Sequence, residues 1–226
     1  MKKSLFTLCF FIGITFIQNV FSQEKYYFDY YTIYDFKTDE SDNAKKTELN
    51  FSNSTNSDYH LKIKLLNKTV SSVVLSDVKN QLTFTFPNFS LANLKSGTLL
   101  ELSSFNKANY DQCKNNKNNY YDIGYATDND IKTINVKIFK DAKKTILINE
   151  CFMESKPTNI TKLQHIKIAY LTMPLWCKKF SVNNEGVITK SYFLEKGNKK
   201  NIRNLIEINK MDFTLSISKT KSTAIK

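Results

Sequence analysis

A chain of 226 residues with 41% hydrophobic and 13% aromatic content can build one core, and its 5 Gly and 3 Pro exclude a collagen-like or low-complexity polymer. The formal charge of +12 invites a nucleic-acid partner, yet Arg203 is the single arginine and the lysines are interspersed with acids. The guanidinium fork that clamps phosphate and reads guanine is therefore nearly absent, which argues for a basic, lysine-coated surface instead.

The N-terminus reads as a signal peptide over residues 1–22. Lys2 and Lys3 form a positive start, residues 5–17 (LFTLCFFIGITFI) an apolar run, and Val20 and Ser22 the small-residue positions before a cut at Gln23. The run is shorter than the ~20 residues of a membrane span. Export to the periplasm, cell surface or medium is expected, with no transmembrane span afterwards, in a compartment where disulfides persist. Cys113, Cys151 and Cys177 then remain, without a C-x-x-C spacing. Three single pairings are open. Cys113–Cys151 is preferred, because Cys177 beside Trp176 reads as a small buried hydrophobe, and an unbonded set is the alternative.

Residues 26–36 (YYFDYYTIYDF) open the mature chain as an aromatic strand. Tyr26, Phe28, Tyr30, Thr32, Tyr34 and Phe36 share one face, and Tyr27, Asp29, Tyr31, Ile33 and Asp35 the other. A polar turn over 37–46 leads to a strand at 47–52 and a second turn at 53–58. Residues 59–66 (YHLKIKLL) alternate most clearly, with Tyr59, Leu61, Ile63 and Leu65 facing one way and His60, Lys62 and Lys64 the other. Asn67-Lys68 turns the chain into a strand at 70–75. Residues 81–86 make another, ended by Pro87. Residues 88–96 are ambiguous, 99–103 resume a strand, and 106–119, rich in asparagine, read as a long loop.

Residues 120–125 follow as an aromatic strand. Residues 131–139 and 145–153 form a hairpin about a turn at 141–144. A loop surrounds Pro157, and 161–171 fit both helix and strand, with strand preferred for its β-branched end. A turn at 183–186, a strand at 187–195, a turn at 197–201 and a last strand or bent pair at 205–217 complete the domain. The expectation is a single β-rich domain over 23–217, with a disordered tail at 218–226. It is mainly β: one antiparallel meander, strongly curved as a half-barrel or open barrel, with at most one or two short helices.

Catalytic signals are absent. His60 sits on a polar strand face, and His165 lacks an H-x-H or H-E-x-x-H partner. No G-x-S-x-G, P-loop or G-x-G-x-x-G occurs. Asp29, Asp35, Glu150 and Glu207 are acids within apolar runs and read as structural or surface groups. Asp122, Asp128 and Asp130 lack calcium-loop spacing. Four sequons, at Asn53, Asn67, Asn88 and Asn159, are what chance gives in so asparagine-rich a chain. No enzyme activity, catalytic residue, cofactor or metal is expected.

The VFSQ junction, the aromatic opening strand and the segment FSNSTNSDYHLKI resemble uncharacterised small exported proteins of flavobacterial type, mainly over residues 1–66. That resemblance implies export across the inner membrane and carries over no functional residue. In size and in its aromatic antiparallel meander the chain is also similar to the unclosed β-barrel of periplasmic lipoprotein carriers, a fold-level analogy. Two functions follow as expectations. The first is a non-enzymatic binding protein holding an apolar or lipid-like ligand on a concave aromatic face, with Tyr30, Tyr34, Phe84 and Phe86 towards it. The second is an envelope or surface protein-interaction module with a packed core and no ligand cavity.

Overall fold

In β1 (Glu24–Asp39) the alternation read from the sequence is realised: Tyr26, Phe28, Tyr30, Thr32, Tyr34 and Phe36 are all buried, and the residues between them are not. The structure is a computed structural model that describes residues 24–56, 58–102, 105–109, 119–157 and 186–217. β2 (Lys46–Ser52), β3 (Tyr59–Leu66), β4 (Thr69–Asp77) and β5 (Leu82–Thr85) follow, each antiparallel to the one before. A 3₁₀ turn, Leu91–Asn93, capped by Ser90, stands in the stretch that the sequence left ambiguous. Then come β6 (Thr98–Leu102), β7 (Asn106–Asn109), β8 (Tyr120–Asp128), β9 (Ile131–Phe139), β10 (Leu147–Lys156), β11 (Val187–Glu195) and β12 (Asn198–Ile217). β7 corrects part of the loop expected at 106–119: its backbone pairs with β5.

The twelve strands of the described residues form one sheet, eleven of them in the order β7-β5-β4-β3-β2-β1-β12-β11-β10-β9-β8 and β6 beside β12. Two antiparallel meanders, β1–β5 and β8–β11, are joined by β12, which pairs with β1 along most of its length. β6 departs from the antiparallel rule and lies parallel to the end of β12, from Phe213↔Thr98 to Ile217↔Leu102. The sheet is open and curved. Only residues 103–105 separate β6, at β12, from β7, at the far edge. At 3.3–3.6 Å per residue that link spans at most ~14 Å, so the series from β7 through β1 to β6 has to bend round. Two-residue turns drive the tight hairpins. Asn67-Lys68, Asn129-Asp130 and Lys196-Gly197 all have positive φ, the conformation whose twist matches that of paired strands.

The first core lies inside this curl. Phe28 stacks on Phe213 at 5.1 Å and meets Tyr59 edge-on at 5.6 Å, with Phe51, Leu61, Ile63, Leu75 and Phe84 around them. The second core gathers Ile134, Val136, Ile138, Cys151, Met153, Ile188 and Phe193 of β9–β11 against Tyr34 of β1. β1 serves both. Its register with β12 shifts between Phe28 and Tyr30 and again between Ile33 and Tyr34. Tyr26 and Phe28 belong to the first core, Tyr31 packs against it from the opposite parity, and Tyr34 enters the second. The residues expected on one face are thus all buried, but Tyr26 and Phe28 lie in one core and Tyr34 in the other.

Where β2 ends, side chains take over from the ladder. The Tyr59 hydroxyl donates to Tyr27 O at 2.9 Å, Asn53 Nδ2 donates to the same carbonyl at 3.1 Å, and Asp29 accepts from Ser54 N and Oγ. Among the described residues no helix is long and apolar enough to cross a membrane. Residues 1–22, expected as a signal peptide, the 161–171 segment, Trp176, His165, Cys113, Cys177 and residues 218–226 lie outside the described residues.

Candidate functional site

Strand alternation puts Leu49, Phe51, Leu61, Ile63, Val73 and Leu75 of β2–β4 into or against the first core. It must then turn Glu48, Asn50, Ser52, His60, Lys62, Lys64, Ser72, Val74 and Ser76 the other way. Cross-strand pairing arrays them in rows: Thr32–Asn50–Lys62–Val74, and beside it Tyr34–Glu48–Lys64–Ser72. From sequence this is a solvent face. In the structure β10–β12 cover it, and Glu48, Asn50, Ser52, His60 and Ser76 are buried. The contact across the layers is specific. The Tyr34 hydroxyl donates to Ile188 O at 2.9 Å, and Arg203 of β12 reaches Glu48 of β2.

Glu48 is the centre of this layer, with no exposed surface. Arg203 donates to it through Nε at 3.0 Å and Nη2 at 3.4 Å, Asn50 Nδ2 donates at 3.2 Å, and Lys62 Nζ lies at 3.5 Å. Burial works to raise the carboxyl pKa. The charges of Lys62 and Arg203 outweigh it and hold Glu48 down to about 2. For Lys62 the balance is reversed: burial lowers its pKa to about 8 despite the attraction of Glu48. His60 is pushed down to about 3, by burial first and by Lys62 next, so it is neutral at physiological pH. The Phe36 ring receives two cations, with Lys64 Nζ 5.1 Å and the Arg203 guanidinium 5.0 Å from its centroid.

Above this layer lies a cavity of about 450 Å³ between β3–β4 and β10–β12. Lys62, Lys64, Lys200 and Arg203 line it with one carboxylate, Glu195, and His60, Asn149 and Phe193 are also in its wall. Lys200 pairs with Asp39 at 3.1 Å. Chemically the arrangement is a basic, hydrogen-bonding pocket with one aromatic wall, suited to an anion.

The residues expected to face a ligand lie elsewhere. Phe84 and Phe86 are buried in the first core, Tyr34 in the second, and Tyr30 is buried beside Ser52, where desolvation raises its pKa. None of the four lines the cavity. Cys151 is a buried free thiol whose pKa burial pushes up to about 12; Cys113, its expected partner, is outside the described residues. The other acids are dispersed. Asp29 holds Ser54, Glu150 accepts from Asn135 Nδ2 at 2.8 Å, and Glu207 accepts from Asn209 Nδ2 at 2.6 Å. Among the described residues no three His, Cys, Asp or Glu side chains group as a metal site. Sequence reasoning passed over Glu48, Lys62 and Arg203. The available signal was Arg203 itself, a lone arginine in a lysine-rich chain, since guanidinium is the cation best suited to a buried, bidentate pair.

Compared with known proteins, the chain matches no family model, no curated protein and no solved structure.

Proposed function

We propose that this chain is an exported, non-enzymatic binding protein and that the cavity between β3–β4 and β10–β12 is its ligand site, for a small molecule bearing a carboxylate or phosphate. Export rests on the basic start at Lys2-Lys3 and the short apolar run that follows. One observation carries the ligand class: Lys62, Lys64, Lys200 and Arg203 converge on a cavity of about 450 Å³ that has one lining carboxylate, Glu195. Lys62 and Arg203 share Glu48, and Lys64 rests on Phe36 with no carboxylate paired to it among the described residues. The site therefore carries surplus positive charge in a partly dry space, where attraction for an anion is strongest. An apolar tail, if the ligand has one, would run against Phe193 and Val74.

Isothermal titration with inorganic phosphate, acetate and dodecanoate tests this. Binding of at least one is expected, weakening as pH rises through about 8, where Lys62 loses its proton. The Lys64→Gln/Lys200→Gln double variant should lose that binding while keeping the wild-type circular-dichroism spectrum and a cooperative unfolding transition. A preference for dodecanoate over acetate would make the ligand lipid-like. No binding of any of the three would overturn the proposal.

The place of β8 at the end of the described strand order favours a second reading, an envelope or surface protein-interaction module. Among the described residues β8 pairs with β9 alone, and Tyr125 is exposed. Its test is whether charged substitutions along β8 abolish capture of one reproducible partner from the native envelope.

A further inference from the structure

We propose that the end of the β9–β10 hairpin is a docking surface for an anionic lipid membrane. This inference is independent of the cavity. Ile146, Leu147 and Ile148 are consecutive in sequence and 54%, 50% and 49% exposed. An ordinary strand buries alternate residues, so three adjacent exposed aliphatics require a departure from it. The register of β10 with β9 supplies one: it shifts between Leu147 and Asn149, leaving Ile148 as the extra residue.

The loop that presents them is tightly held. Asp141 accepts from Thr145 N at 3.0 Å, Thr145 Oγ1 at 2.9 Å and Ile146 N at 2.7 Å, while Lys140 N donates to Ile146 O at 2.9 Å. Those bonds keep Asp141 ionised and turn its carboxylate towards the loop's own backbone. Lys144 is paired with Asp122 at 2.9 Å and Lys137 with Glu150 at 3.9 Å. Lys140 and Lys143, both exposed, outnumber Asp141 and leave one net positive charge beside the aliphatics.

That combination selects the partner. Aliphatic side chains enter the acyl boundary of a bilayer while neighbouring lysines reach anionic headgroups. A protein interface, by contrast, is depleted of lysine and enriched in aromatics and arginine. The fixed loop loses little conformational freedom on docking. Asn149, next in the chain, lines the cavity, so a docked hairpin would bring the cavity close to the membrane.

The test is sedimentation with vesicles of phosphatidylcholine alone or mixed with phosphatidylglycerol, using protein expressed as the full chain and purified as the host produces it. Wild type should sediment with the mixed vesicles and much less with phosphatidylcholine. The Ile146→Ser/Ile148→Ser and Lys140→Gln/Lys143→Gln variants should each lose roughly tenfold or more in partitioning, given the strength of one aliphatic anchor or two interfacial lysines. Their unfolding midpoints should be unchanged, because the altered side chains are exposed. Equal sedimentation of wild type and variants would overturn the proposal. So would indifference to phosphatidylglycerol, or a wild-type dimer without vesicles that the serine variant makes monomeric.

Discussion

Replacing Arg203 with methionine leaves Glu48 buried, with Lys62 at 3.5 Å as its remaining ion-pair partner among the described residues. The carboxyl pKa is held at about 2 against an ordinary 4.5. Lys62 and Arg203 together outweigh the cost of burying the carboxyl, so its ionised form contributes to the stability of the folded chain. Removing one partner of a buried ion pair costs about 3–5 kcal/mol, because a charge is stranded. Urea unfolding at neutral pH should therefore show Arg203→Met destabilised by about 3 kcal/mol or more. Arg203→Met/Glu48→Leu should recover most of that loss, since apolar replacement of both partners removes the stranded charge. The pH dependence has a fixed sign. Glu48 titrates lower in the folded chain, so its contribution is complete above about pH 4.5 and fades as pH falls towards 2. A loss below about 1 kcal/mol, or a double variant no more stable than the single, would refute the buried-pair account.

Two further substitutions probe how the layers are held. Gly186 has φ +109°, and a Cβ there would fall 1.9 Å from Lys156 O, so Gly186→Ala should cost several kcal/mol (roughly 2–4) or shift the start of β11, read by urea unfolding. Tyr34→Phe removes the hydroxyl that donates to Ile188 O and leaves a buried carbonyl short of a partner; about 1–3 kcal/mol should be lost in the same assay, with the fold unchanged by circular dichroism.

Local chemistry made much of the fold legible. The period-two pattern of β1 and β3 and the turn at Asn67-Lys68 are written in side-chain size, polarity and backbone preference, and the structure follows them. The parallel contact of β6 with β12 is long-range, and the residues 98–102 (TLLEL) do not specify a partner. The site was hidden for a related reason. His60, Lys62 and Lys64 alternate with Leu61 and Ile63 as a solvent face would, and nothing within β3 reveals that β10–β12 cover it. Conversely, the aromatic surplus of β1 suggested an open concave face, whereas two cores, joined by the register shifts of β1 and β12, absorb it. Composition counts apolar surface but not how many cores share it.

The polar face of β2–β4 lies beneath β10–β12 rather than in water. The imidazole of His60 reports on it directly, and the chain has only one other histidine, His165. In a nitrogen-detected NMR titration from neutral pH downwards, the His60 ring, identified by its absence in His60→Gln, should stay neutral until the pH approaches about 3. A His60 that gains its proton at the ordinary value of about 6.5 would mean that this face is open to solvent, contradicting the buried layer and the basic cavity built on it.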